Sequence, residues 1–175
     1  MRSKGGKFII KYAVLYQSDT GNTEKIANVI FDSIDSQDKE IVKLEEGIDI
    51  PEADVYFVGL PVHNRNCSFM IMDCLDKIES GGVALFATCG MYPSEKYIEK
   101  IEIAMSVWLS DSVEYLGIYV CQGKITPEQR NVFLEEMPQV SAKLEEMFDE
   151  GDTHPDEEDL REAAVFASNV QNVIN

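Results

Sequence analysis

Short apolar runs alternate along this chain with stretches whose apolar positions recur at helical spacing. Phe8 to Tyr16, interrupted only by Lys11 and Tyr12, reads as a first strand. Asn22 to about Ser36 follows with Ile26, Ile30 and Ile34 on one ridge, the mark of an amphipathic helix. A short strand is expected at Glu40–Leu44, then a turn around Ile50-Pro51-Glu52 that leaves little room for a second full helix. Val55-Tyr56-Phe57-Val58-Gly59-Leu60 is nearly all apolar, as a strand covered on both faces should be, and Pro61 is expected to stop it. Met70, Ile71, Cys74, Leu75 and Ile78 mark another helix, closed by Gly81 and Gly82. Val83 to Thr88 is the next strand, and Pro93 opens a helix carrying Tyr97, Ile101, Ala104, Met105 and Trp108 on one side. Val113 to Cys121 is a further strand. Thr126 caps a helix with Pro127 at its first position, Pro138 interrupts it, and Ser141 to Phe148 resumes. A final helix is expected from Asp156 to Val173.

Strands alternating with helices predict an α/β fold, a three-layer sandwich around a five-stranded parallel sheet. A chain of 175 residues suits a single domain, and no internal repeat or long linker argues otherwise. Met1 to Lys7, with two glycines and three basic residues, reads as a leader outside the fold.

Charge narrows the partners. Acids outnumber bases by 32 to 15, a formal net charge of −17. Nucleic acid is a poor partner for such a surface, because phosphate contacts rely on Lys and Arg. Steering of a basic protein partner is the positive expectation, simple solubility the plainer one. No apolar run reaches the ~20 residues of a membrane span, and no secretory signal is visible. Cys67, Cys74, Cys89 and Cys121 are widely spaced without a CxxC pair, and only His63 and His154 could join them, so no metal site is expected. Reduced thiols and a cytoplasmic location follow from this usage.

The candidate chemistry lies where the first strand breaks. Ser18-Asp19-Thr20-Gly21-Asn22-Thr23 is small and polar throughout and runs directly into the first helix. Main-chain N–H groups at a helix N-terminus lack intrahelical partners and face a favourable dipole for an anion. Helix capping alone needs one such residue, not six. No Lys or Arg lies between Tyr16 and Thr23, so the loop lacks the Gly-Lys-Ser/Thr ending of a nucleoside triphosphate site. It also lacks the spaced glycines of a dinucleotide fingerprint. Uncharged donors suit one terminal phosphate.

This stretch resembles the FMN phosphate loop of flavodoxins, which follows Ser/Thr-x-Thr-Gly-x-Thr after a hydrophobic strand. The resemblance extends in pattern over Lys7–Ile174, although only this loop is motif-specific. It implies a single flavodoxin-like domain over residues 8–175, strand order 2-1-3-4-5 and a ligand site at the carboxyl ends of the strands. Further cofactor contacts are then expected from Pro61, Val62, His63, Asn64, Arg65 and Asn66 after strand three, and from Thr88, Cys89, Gly90 and Tyr92 after strand four. Tyr92 would stack on the flavin. The loop after strand three departs from the glycine-bearing family pattern, so any left-handed position there falls to Asn64 or Asn66. A cationic Arg65 near the ring would favour reduced flavin; a solvated loop arginine is the alternative.

No nucleophile–base pair stands out, and no catalytic residue is assigned. The leading expectation is an FMN-binding electron carrier, monomeric or weakly dimeric, whose acidic surface docks a basic redox partner. An FMN-dependent NAD(P)H or quinone reductase is the second reading, and a flavin-free interaction scaffold the third.

Overall fold

The computed structural model describes residues 2–4, 7–63 and 66–174. Five parallel strands form the central sheet: β1 (Tyr12–Tyr16), β2 (Lys39–Lys43), β3 (Val55–Pro61), β4 (Gly81–Cys89) and β5 (Val113–Gln122). Their order across the sheet is β2-β1-β3-β4-β5. Because every neighbour is parallel, the carboxyl ends of all five strands share one edge.

Among the described residues six α-helices accompany the sheet: α1 (Asn22–Ser33), α2 (Phe69–Asp76), α3 (Glu95–Ser106), α4 (Pro127–Glu136), α5 (Ser141–Gly151) and α6 (Glu157–Ile174). Side chains alternate across each strand, and this alternation builds two cores. Ala13, Leu15, Val58, Leu60, Leu85 and Ala87 face α2 and α3, whose Ile71, Leu75, Ile101 and Met105 meet them fully buried. Val14, Phe57, Ala84 and Phe86 face the other way, onto Ile26 and Ile30 of α1 and Ala163 and Ala167 of α6. The three-layer sandwich is therefore real, and its central strands are covered on both faces as their unbroken apolar runs require.

Several local expectations are corrected. The single strand expected over Phe8–Tyr16 is two. Lys7–Ile9 pairs antiparallel with Arg2–Lys4 in a separate ribbon, so part of the expected leader is hydrogen-bonded structure. Gly81 and Gly82 do not close α2, whose C-cap is Lys77; they open β4. Gly81 has φ +96°, and a Cβ there would lie 2.6 Å from the Asp54 carbonyl oxygen, so glycine serves a tight strand entry. Pro93 precedes α3, which begins only after the Ser94 cap. Pro61 is the last residue of β3 rather than the first beyond it.

One connection stands apart. β1–β2, β3–β4 and β4–β5 each cross over through a helix, whereas residues 44–54 join β2 to β3 without one. Leu44 is buried against the α2 face of the sheet, and Ile50 and Ala53 pack partly buried beside it. As expected the connection has no helix, but its turn lies at Glu46–Gly47, closed by the Ile48 N–H on the Glu45 carbonyl at 3.2 Å with Gly47 at φ +82°, rather than at Ile50-Pro51-Glu52.

Candidate functional site

The loop between β1 and α1 is shaped by its own polar side chains. Gly21 occupies the α1 N-cap with φ +87°, left-handed backbone that an L side chain adopts only with strain. No neighbour stands within 4 Å of where its Cβ would be, so the space above this turn is open. Ser18 Oγ accepts from the Gly21 N–H at 3.1 Å and the Glu24 N–H at 3.2 Å, which folds the loop back over the helix start. Among the described residues, the main-chain N–H groups of Asp19, Thr20, Asn22 and Thr23 have no hydrogen-bond acceptor. These are the orphan donors a helix N-terminus offers an anion.

Three contacts tie this loop to the other loops at the same edge. Asn22 Nδ2 donates to Thr20 Oγ1 at 3.0 Å and to the Lys124 carbonyl at 2.8 Å, joining the loop after β5. Gly123 leaves room for this contact, since a Cβ on it would lie 2.7 Å from Asn22 Nδ2 and displace that side chain. His63 Nε2 and Asp19 Oδ2 lie 3.2 Å apart, joining the loop after β3. Thr23 Oγ1 and Thr88 Oγ1 share a buried hydrogen bond of 2.8 Å, joining the end of β4.

The expected site residues therefore divide. Ser18, Asp19, Thr20, Gly21 and Asn22 form an accessible rim. Thr23 and Thr88 belong to the same edge, but their hydroxyls face each other in the core. Val62 continues the sheet by donating its N–H to the Thr88 carbonyl at 2.9 Å. His63 and Asn66 exchange main-chain hydrogen bonds at 2.8 and 2.9 Å, pinching the loop after β3 at its base. Asn64 and Arg65 lie outside the described residues. Gly90 permits a close approach of the β5 loop, since its Cβ would stand 2.3 Å from Ile125 Cγ2. Tyr92 exposes a large ring at this edge, with its N–H 3.4 Å from Met147 Sδ of α5.

Neither cysteine at the edge is poised for chemistry. Burial pushes the Cys89 thiol up to about 12, and its Sγ contacts the Met91 carbonyl at 3.1 Å and the Cys121 carbonyl at 3.6 Å. Burial likewise raises the Cys121 thiol, aided by the charge of Asp159. Both are free and behave as small apolar groups. At the other end of the loop, burial and then Glu24 push the Tyr16 phenol up to about 12; its hydroxyl donates to Glu24 Oε1 at 2.9 Å.

Several organising residues escape a reading of the sequence. Gln17 holds Asp19 Oδ1 at 3.3 Å and receives the Ser68 hydroxyl, linking the phosphate-type loop to the start of α2. Buried Gln122 donates to the Gly90 carbonyl at 3.3 Å and the Met147 carbonyl at 3.0 Å, docking α5 beside the β4 loop. Polar side chains at the ends of apolar strands were the only available signal. Behind them, His154 Nδ1 and Asp159 Oδ2 lie 2.5 Å apart, and the His154 carbonyl accepts from the Lys124 N–H at 3.1 Å.

A family model described as flavodoxin domain matches residues 13–168. The flavodoxin-like domain-containing protein BilS of Clostridioides difficile is 37% identical over 92% of this chain and 96% of that protein. Among solved structures, oxidised flavodoxin 2 from Bacillus cereus superposes with a TM-score of 0.58 at 21% identity, over 93% of this chain and 99% of that one. A flavoprotein in complex with FMN from Lactobacillus acidophilus superposes with a TM-score of 0.50 at 22% identity, over 64% of this chain and 93% of that one.

Proposed function

We propose, from the premise that this chain belongs to the flavodoxin-domain family, that it binds FMN at the carboxyl edge of its sheet and carries electrons to or from a partner oxidoreductase. The observation that carries the reading is the β1–α1 loop. Its left-handed Gly21, its four unpartnered main-chain N–H groups and its lack of lysine match a single phosphate monoester. The hydroxyls of Ser18 and Thr20 remain accessible to such a phosphate. Beyond the phosphate, the loops after β3 and β4 would flank the flat ring, and the exposed Tyr92 supplies an aromatic face that can stack on it.

When bound, FMN supplies the redox chemistry, one or two electrons at a time. This chain's residues hold and orient it. Hydrogen bonds from Asn22 to Lys124, between Thr23 and Thr88 and between His63 and Asp19 tie the loops after β5 and β3 and the end of β4 to the β1–α1 loop. A preformed site of this kind loses little freedom on binding. All four cysteines are free and buried, which suits a cytoplasmic, thiol-reducing compartment. Among the described residues no helix is long and apolar enough to cross a membrane.

The test is an absorption spectrum of the purified chain titrated with FMN, followed by stepwise reduction. Stoichiometric yellow protein that reduces slowly with NADPH alone, and rapidly with an added flavodoxin reductase, supports a carrier. Fast reduction by NADPH alone replaces it with a self-contained reductase. Protein that leaves FMN unbound removes both.

A further inference from the structure

We propose that the cleft between the β2–β3 connection and α2 docks a partner protein, which inserts an apolar side chain flanked by lysine or arginine. That the partner is a redox protein rests on the carrier reading above; the cleft itself does not.

The cleft exists because the connection over residues 44–54 is irregular where the other crossovers within the sheet are helical. An irregular segment covers less of the sheet's flank than a helix does. What remains open is a hollow of ≈ 340 Å³ floored by Leu44, Ile48, Ile50, Met70 and Cys74. Phe69, the first residue of α2, stands at its mouth with 87% of its surface exposed. A large aromatic held in water beside an apolar hollow is the pattern of an interface centre.

The rim sets the partner's chemistry. Glu45, Glu46 and Asp73 border the cleft, all exposed, and Asp49 is close enough to act on Lys77. Lys77 is the cation of this lining, and its Nζ is engaged by Asp73 Oδ2 at 2.7 Å. The rim is thus net negative around an apolar centre, and its complement is an apolar anchor with cationic flanks. A two-fold pairing of this face with a second copy would set one acidic rim against another. An anionic lipid surface would be repelled in the same way.

The cleft is also coupled to the cofactor edge. Phe69 follows Ser68, whose hydroxyl donates to Gln17, and the Gln17 amide holds Asp19 in the phosphate-type loop. A partner seated on Phe69 therefore lies next to the loops that bound the flavin space.

The test uses the full-length, 15N-labelled chain with FMN added. The probe is an acetylated, amidated peptide, Lys-Lys-Leu-Phe-Lys-Lys-Ile-Lys-Lys, with a control in which Ser replaces the three apolar residues. At ~0.15 M ionic strength, where nonspecific surface attraction is largely screened, amide shifts should concentrate at residues 44–50 and 69–77. Phe69→Ala should weaken the apolar peptide about tenfold, as loss of an interface anchor does, and Glu46→Gln should flatten its salt dependence. Equal binding of the serine control, shifts confined to α4–α6, or an unchanged Phe69→Ala affinity would each overturn the docking site. So would a concentration-dependent dimer in sedimentation that Phe69→Ala abolishes, which assigns the face to a second copy. Flavin absorbance in the same samples separates the two claims. Flavin bound without peptide overturns the docking site alone, and peptide bound without flavin overturns the carrier reading alone.

Discussion

The hydroxyls of Thr23 and Thr88 meet 2.8 Å apart in the core, 1% and 5% exposed, across 65 residues of sequence. Thr23 is the second residue of α1 and Thr88 is the penultimate residue of β4. The bond therefore fixes the β1–α1 loop against the strand that leads into Gly90 and Tyr92. Thr23→Val leaves the Thr88 hydroxyl buried without its partner and should destabilise the fold by about 1–3 kcal/mol. The Thr23→Val, Thr88→Val double variant should recover part of that loss, as a double-mutant cycle in urea unfolding will show.

Gly21 and Gly90 make different demands, and alanine separates them. At Gly21 the added Cβ meets no atom within 4 Å, so Gly21→Ala should cost only the left-handed backbone penalty, about 1–2 kcal/mol. At Gly90 the Cβ would lie 2.3 Å from Ile125 Cγ2, so the Ile125 side chain must be displaced. Gly90→Ala should be the more destabilising in urea unfolding and should disturb amide shifts around Ile125, which Gly21→Ala leaves in place.

Gln122 docks α5 through two carbonyls, those of Gly90 and Met147. Gln122→Met keeps the length but removes both donors. The expected loss is about 1–3 kcal/mol for the polar groups left unpaired. Hydrogen exchange should speed up in α5 before it does in β3 or β4.

Burial raises three thiols into a common range: Cys67 to about 11, Cys74 and Cys89 to about 12. Each would ionise from an ordinary value of 9.0 in the unfolded chain. Between those values the folded state holds more protons, so stability is full below 9.0 and falls as pH rises toward 11–12. Urea midpoints should stay flat through neutral pH and decline above it, with Cys89→Ala reducing the alkaline slope. At about pH 8, iodoacetamide should alkylate these thiols only after unfolding.

Much of the candidate site was legible before folding, because it is local. Ser18 to Thr23 carries its own turn chemistry, and the hydrogen bonds Ser18 makes to Gly21 and Glu24 span only 3 and 6 residues. The strands covered on both faces were legible for the same reason, since burial on both sides leaves an unbroken apolar run in β3 and β4. Gly81 and Gly82 misled because a glycine pair after a helix looks like a terminator. Here the decisive neighbour was the Asp54 carbonyl, remote in sequence, against which only glycine fits.

What the sequence determined by itself was the alternation of strands and helices, the anion-type loop and its lack of cationic charge. These depend on residues within a few positions of one another. The tertiary structure alone decided which hydroxyls remain available, because Thr23 is spent on Thr88 only once β4 lies beside α1. It also decided that Asn22 reaches Lys124 and that His63 reaches Asp19, contacts separated by 102 and 44 residues. The cleft beside Phe69 belongs to the same class. Its walls, residues 44–50 and α2, meet only after the sheet has ordered its strands, and no local pattern records that meeting.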